Sequence, residues 1–120
     1  MTYARNQAIG AYGERIAADH LRSLGMVILA RNWTCQHGEL DIVARDGDTL
    51  VVCEVKTRTS TTHGTALESV TGRKLTQLRR SLSKWLEAFD VHPDGIRIDV
   101  VTVWVPTSGG PRVDRIAGVA

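Results

Sequence analysis

Glu54-Val55-Lys56 places an acid and a base two residues apart inside an otherwise apolar run that begins at Leu50. Side chains of an extended strand alternate between faces, so Glu54 and Lys56 share one face while Val51, Cys53 and Val55 take the other. Glu39-Leu40-Asp41-Ile42-Val43 alternates in the same way, with Glu39 and Asp41 on one side and Leu40 and Ile42 on the other. Two neighbouring strands that each carry acids on one face could bring those acids together.

The turn between the runs decides whether they meet, because loop length fixes hairpin register. Asp46-Gly47-Asp48 joins them, and Asp-Gly is a strong hairpin dipeptide. A two-residue Asp46-Gly47 turn pairs Arg45 with Asp48, sets Asp41 against Val52 and Glu39 against Glu54, and leaves Glu54 diagonal to Asp41 at about 7–8 Å. A three-residue loop would put Asp41 and Glu54 on opposite faces and remove the site. The two-residue register is preferred because it also keeps Leu40, Ile42, Val51, Cys53 and Val55 together in the core.

Facing carboxylates destabilise a sheet unless something neutralises them. A hard divalent ion such as Mg²⁺ prefers carboxylate oxygens, and Lys56 is placed to orient or help deprotonate an attacking water. Together these describe phosphodiester hydrolysis, in which a metal offsets charge on the phosphate and a lysine assists. The plainer alternative is a surface salt-bridge ladder joining Glu54 and Asp41 to Lys56 or Arg58. Glu14 is a fourth candidate. It falls about 20° from Leu21 on a helical wheel, at the edge of an apolar stripe with Gly10 and Ala17 beside it, and can reach over the sheet. Its alternative role is a first-turn acid complementing the helix dipole.

The elements that must position these groups are legible from periodicity. Ile9, Tyr12, Ile16, Ala17, Leu21 and Leu24 recur at helical spacing up to Gly25. Met26 to Trp33, Gly38 to Arg45 and Thr49 to Thr57 are strand-like, the last two flanking the Asp-Gly turn. A polar, Ser/Thr-rich loop around Thr57 to Gly64 precedes a second helical stripe of Leu75, Leu78, Leu82, Leu86 and Phe89, which His92-Pro93-Asp94-Gly95 breaks. Arg97 to Val105 is a Val/Ile-rich strand, and a loop from Pro106 to Pro111 leads to a weak terminal strand, Arg112 to Val119. The order αβββαβ(β) predicts an α/β fold, a mixed sheet with helices packed on it.

Length and composition set the frame. The 120 residues suit one domain, 1–120, since halves of about 60 would sit near the lower limit for a stable core. Hydrophobic content of 42% and charged content of 23% exclude a disordered, collagen-like or coiled-coil chain. Met1 to Gly13 has no apolar stretch of signal-peptide length, and no later run approaches the roughly 20 residues that span a bilayer, so the expected compartment is the cytoplasm, without a membrane partner. Cys35 and Cys53 lack zinc-site spacing and are expected to be small buried residues. Trp33, Trp85 and Trp104 are expected in core or interface positions rather than as base-stacking platforms. Of the histidines, only His37 and His63 lie in loops that could approach a substrate.

The ordered set Gly10-Ala11-Tyr12-Gly13-Glu14, Arg31-Asn32-Trp33, Gly38-Glu39-Leu40-Asp41-Ile42-Val43 and Glu54-Val55-Lys56-Thr57-Arg58 resembles the YraN family of uncharacterised bacterial proteins. That family is considered restriction-endonuclease-like and similar to archaeal Holliday-junction resolvases. The resemblance runs over roughly residues 5 to 105 and takes in Gly64, Val70 to Lys74 and Arg97-Ile98-Asp99-Val100. It implies a restriction-endonuclease-like core, a mixed sheet flanked by helices, and a metal site carried by Asp41, Glu54 and Lys56 with Glu14 from the first helix. Departures are Thr34 where a basic residue is common, His63 where an aromatic is common, and Ile98 where Phe is usual. They leave the catalytic set intact.

The formal net charge of +2 conceals two opposed fields. From Lys56 to Lys84 seven basic residues face Glu68 alone, a local charge of +6, which leaves −4 for the remainder. Arg73, Gln77, Arg80 and Lys84 form a polar stripe opposite the leucines of the second helix, and with Arg58 and Lys74 make a candidate phosphate-tracking ridge. Its plain alternative is a solvated helix face. The expected activity is hydrolysis of DNA phosphodiesters, structured or branched DNA included, with Mg²⁺ or Mn²⁺. In that scheme Asp41 and Glu54 ligate the metal and Lys56 positions the water. Glu14 acts as a further ligand or orients a water, and a homodimer would act on two strands. The competing expectations are a catalytically silent nucleic-acid-binding adaptor of the same fold and a purely structural interaction protein.

Overall fold

The computed structural model describes residues 3–59 and 70–120. The expected loop beyond Thr59, with His63, Gly64 and Glu68, lies outside the described residues. Helix α1 (Tyr3–Ser23) precedes three strands, β1 (Val27–Cys35), β2 (Gly38–Asp46) and β3 (Thr49–Arg58). Helix α2 (Gly72–Phe89) then leads to β4 (Gly95–Trp104) and β5 (Arg112–Ile116). The strands form one sheet in sequence order, antiparallel except that β3 and β4 run parallel. A parallel pair needs a crossover, and α2 supplies it. The order αβββαββ is the α/β architecture expected, compatible with a restriction-endonuclease-like core.

Each helix closes one face of the sheet. Ala17, Ala18 and Leu21 of α1 pack with Met26, Ile42, Ala44, Val51, Cys53, Val101 and Val103. Leu78, Leu82 and Trp85 of α2 pack with Leu40, Val43, Leu50, Val52 and Ile98. Burial on both faces is why Leu50-Val51-Val52-Cys53 is an unbroken apolar run. Helix α1 ends where Gly25 adopts φ 91°. There the amides of Gly25 and Met26 bond the carbonyls of Arg22 (2.9 Å) and Leu21 (3.1 Å), a Schellman closure. Helix α2 begins with Thr71, whose hydroxyl accepts from the Lys74 amide at 3.2 Å. Among the described residues no helix is long and apolar enough to cross a membrane.

The β2–β3 register corrects the expected turn. Asp46 pairs with Thr49 and Arg45 with Leu50, so the two-residue turn is Gly47-Asp48 rather than Asp46-Gly47. Gly47, at φ 61°, takes the first central position, where a type II′ turn demands glycine. The slip moves every pairing by two residues along the partner strand, an even step that preserves which face each β3 residue occupies. The ladder's last pair is Ile42 with Cys53, so the next residues along, Asp41 and Glu54, become direct neighbours instead of diagonal ones.

Behind the sheet, buried Asp99 takes Arg97 Nε at 2.8 Å, Arg115 Nε at 3.2 Å and the Gly118 amide at 2.9 Å. This cluster fastens β4 to β5 and to the end of the chain, where Val119 and Ala120 exchange backbone bonds with Ile98. The terminal strand is therefore shorter than the expected Arg112–Val119, and its last residues pair separately.

Candidate metal centre

The site forms where β2 and β3 part. Strict alternation fails at Asp41: Leu40 packs on the α2 side of the sheet with Val43, whereas Ile42 packs on the α1 side with Ala44. Asp41 occupies this break, and its Oδ2 accepts the Val55 amide at 2.9 Å. A side chain thus holds the β3 amide beyond the last strand pair.

Helix α1 reaches the same seam because it is flush against β3. Gly13 is buried, and a Cβ there would collide with the Thr57 side chain. The next residue, Glu14, converges with Glu39 and Asp41 so that one oxygen from each lies within 4.8 Å of the others. Glu39 had been noted on the sequence only as one of the facing acids. The alternation break brings it beside Glu14.

Glu54 is placed differently from its expected role beside Asp41 in ligation. Its carboxylate is buried, 4% exposed, and Oε1 receives Lys56 Nζ at 3.2 Å and Lys74 Nζ at 3.4 Å. Lys74, expected on the phosphate ridge, therefore stands at the centre of the site. The other oxygen, Oε2, is buried with no hydrogen-bond partner among the described residues. A carboxylate oxygen without a donor is expensive to bury.

Electrostatics agree with crowding. Burial, reinforced by Glu54, Glu14 and Glu39 and opposed by the Val55 amide, pushes the Asp41 carboxyl up to about 7. Burial and the charges of Glu14 and Glu54 also raise Glu39, with Lys74 opposing. Carboxylates in this number, with an unpartnered oxygen beside them, fit a hard divalent cation, which prefers oxygen donors. Glu14, Glu39 and Asp41 are the residues whose oxygens lie close enough together to hold one.

The remaining expected contacts separate into two groups. Arg73, Arg80 and Lys84 are exposed on α2, Lys84 with Glu87 at 3.5 Å. Gln77 instead turns inward, donating to Ser81 Oγ at 2.9 Å and to the Glu39 carbonyl at 3.4 Å, beneath Gly38. It steadies the strand that carries Glu39. Arg58 stands at the end of β3, half-buried, two residues past Lys56.

The family model described as "Uncharacterised protein family UPF0102" matches residues 13–103, a span that begins at Gly13 and contains Glu14, Glu39, Asp41, Glu54, Lys56 and Lys74. The chain belongs to this family, the YraN family. A UPF0102 protein of Kineococcus radiotolerans is 55% identical over 114 residues, covering 94% of this chain and 93% of the relative. One from a Nocardioides species is 52% identical over 116 residues, 97% and 94% of the two chains. One from Mycolicibacterium vanbaalenii is 46% identical over 121 residues and covers both chains fully. These UPF0102 relatives match nearly end to end.

Proposed function

We propose that this UPF0102 protein is a metal-dependent nuclease that hydrolyses DNA phosphodiester bonds, structured or branched DNA included. The observation that carries the reading is the seam itself, where Glu14, Glu39 and Asp41 converge beside a buried Glu54 whose Oε2 has no partner among the described residues. Bound there, Mg²⁺ or Mn²⁺ would offset the charge developing on the phosphate oxygens and activate water. Lys56 Nζ, fixed by Glu54, donates to the attacking water and aims its lone pair at phosphorus. Lys74 Nζ, fixed by the same oxygen, neutralises a non-bridging phosphate oxygen. Asp41 would ligate the ion with the β3 amide still held by its Oδ2, which would keep ligand and lysine in register. The exposed Arg73, Arg80 and Lys84 hold the flanking backbone. The protein would work in the cytoplasm, and two copies would address two strands.

One observation favours a second reading. Glu54 Oε1 is already held by two ammonium groups, as a silent nucleic-acid-binding adaptor with an internal ion-pair cluster would have it. Mn²⁺ titration followed by cleavage of flapped, branched and single-stranded DNA separates the two. The nuclease binds Mn²⁺ and nicks at least one substrate, and Lys56→Ala abolishes cleavage with little loss of DNA binding. DNA binding that is indifferent to Mn²⁺, with no cleavage across the panel, would establish the adaptor instead.

A further inference from the structure

One row of side chains across β3, β4 and β5 lies outside both hydrophobic cores. Arg58 pairs with Trp104, and Trp104 with Arg112. Residues opposed in a ladder share a face, so this row projects from the same face as Glu54 and Lys56, about 7 Å beyond Lys56 at the ordinary strand rise. Trp85 is buried and Trp33 partly buried against α2, whereas Trp104 belongs to neither core cluster.

The tryptophan is held rather than loose. Its Nε1 donates to Asp114 Oδ2 at 2.8 Å, and the Arg112 guanidinium lies 5.0 Å over its ring. The pair borders a groove of about 500 Å³ lined also by Arg58, Thr59, Pro106 and Gly110, with the guanidiniums of Arg58 and Arg112 on its wall; Asp114 Oδ2 also takes Arg112 at 3.4 Å. Between this row and Glu54, Thr102 Oγ1 is buried without a hydrogen-bond partner among the described residues.

We propose that the groove is a binding subsite for an unpaired nucleotide of single-stranded DNA. The base stacks on the Trp104–Arg112 pair, and Arg58 takes a phosphate oxygen of the same strand. Aromatic rings and guanidinium planes accept any base face, but only where the base is unstacked from a duplex. A preset ring costs little ordering on binding. The subsite deepens the nuclease reading, and rests on it for one point alone: a strand seated here runs toward Lys56, so the substrate carries a single-stranded segment beside the bond that is cut. That a peptide carboxylate occupies the two arginines instead is an outcome of the test.

Fluorescence anisotropy with labelled oligo-dT and a blunt duplex, in EDTA so that nothing is cleaved, decides it. Wild type should prefer oligo-dT. Trp104→Ala should weaken oligo-dT about tenfold, Trp104→Phe should recover most of it, Arg112→Gln should weaken it as well, and Arg58→Gln should flatten the salt dependence by about 0.7 in log–log slope. Equal affinity for oligo-dT and duplex, or folded Trp104→Ala and Arg112→Gln variants that bind oligo-dT like wild type, would overturn the subsite. So would an acidic peptide that displaces nothing from DNA yet binds in a Trp104-dependent way. Mn²⁺ binding measured on the same proteins keeps the two ideas apart. Mn²⁺ binding without a Trp104 effect sinks the subsite alone, and a Trp104 effect without Mn²⁺ binding sinks the nuclease alone.

Discussion

Asp41→Asn should stabilise the metal-free protein at alkaline pH while destroying its response to divalent ions. The Asp41 carboxyl stands at about 7, against an ordinary 3.8, because burial and three neighbouring acids disfavour its charge. Between those values the native state keeps a proton that the unfolded chain has lost, so stability falls as pH rises from about 4 to about 7 and stays low above. A separation of about three pH units at ~1.4 kcal/mol each caps the loss at ~4 kcal/mol. Partial solvent access brings the expected figure to ~2 kcal/mol. Asparagine carries no charge, and its amide oxygen can still accept the Val55 amide, so it escapes the penalty and keeps the bond. In EDTA at pH 8 the variant should melt roughly 5–10 °C above wild type, and near pH 4.5 the two should coincide. Mn²⁺ should then raise the wild-type Tm and leave the variant unmoved. Differential scanning fluorimetry over that pH range suffices. Equal melting temperatures at pH 8 without metal, or an equal Mn²⁺ response, would refute both the crowding of Asp41 and its place in the cation site.

Gly13→Ala should lower stability by ~1–2 kcal/mol even though alanine favours helix, because the new Cβ meets Thr57. Adding Thr57→Ala removes Oγ1 and Cγ2, the two closest atoms, but keeps Cβ at 2.9 Å, and should restore part of the loss in urea unfolding; strictly additive effects would mean that α1 does not rest on β3 there. Replacing Arg73, Arg80 and Lys84 together by Gln should reduce the salt dependence of duplex binding by about 2–3 in log–log slope without altering Mn²⁺ affinity. An unchanged slope would return that ridge to the status of a solvated helix face.

The strands and both helices were legible because their signals are local: period-2 alternation, leucines at helical spacing, and Gly25 as a helix stop. The shared face of Glu54 and Lys56 was legible for the same reason, since β3 alternates without interruption. The hairpin turn was not, because Asp46-Gly47-Asp48 admits glycine in either central position and both turn types suit the twist of the flanking strands. Glu39 was undervalued because alternation was carried straight through Asp41. The break between Leu40 and Ile42 depends on which helix each meets, and those helices lie on opposite sides of the sheet. Lys74 and Trp104 depend on longer-range placement still. The one is delivered by the crossover helix, and the other is aligned with Arg58 by a parallel pairing across nearly fifty residues of chain.

Two buried acids in this fold meet opposite fates, and the contrast bears on what the seam is for. Asp99 is fully buried and both its oxygens are satisfied, by Arg97, Arg115 and the Gly118 amide. That is how a buried carboxylate is stabilised when its task is structural. Glu54 is almost as buried, yet one of its oxygens has no donor among the described residues, and its neighbour Asp41 faces further acids rather than an arginine. Among the described residues four carboxylates, Glu14, Glu39, Asp41 and Glu54, are set against two ammonium groups, Lys56 and Lys74. Fully ionised, that set is short by two positive charges. Burial among these acids pushes the Asp41 carboxyl up to about 7, toward its neutral form. A divalent ion bound at the seam would offset the deficit without that proton, which is the physical argument for reading the seam as a cation site.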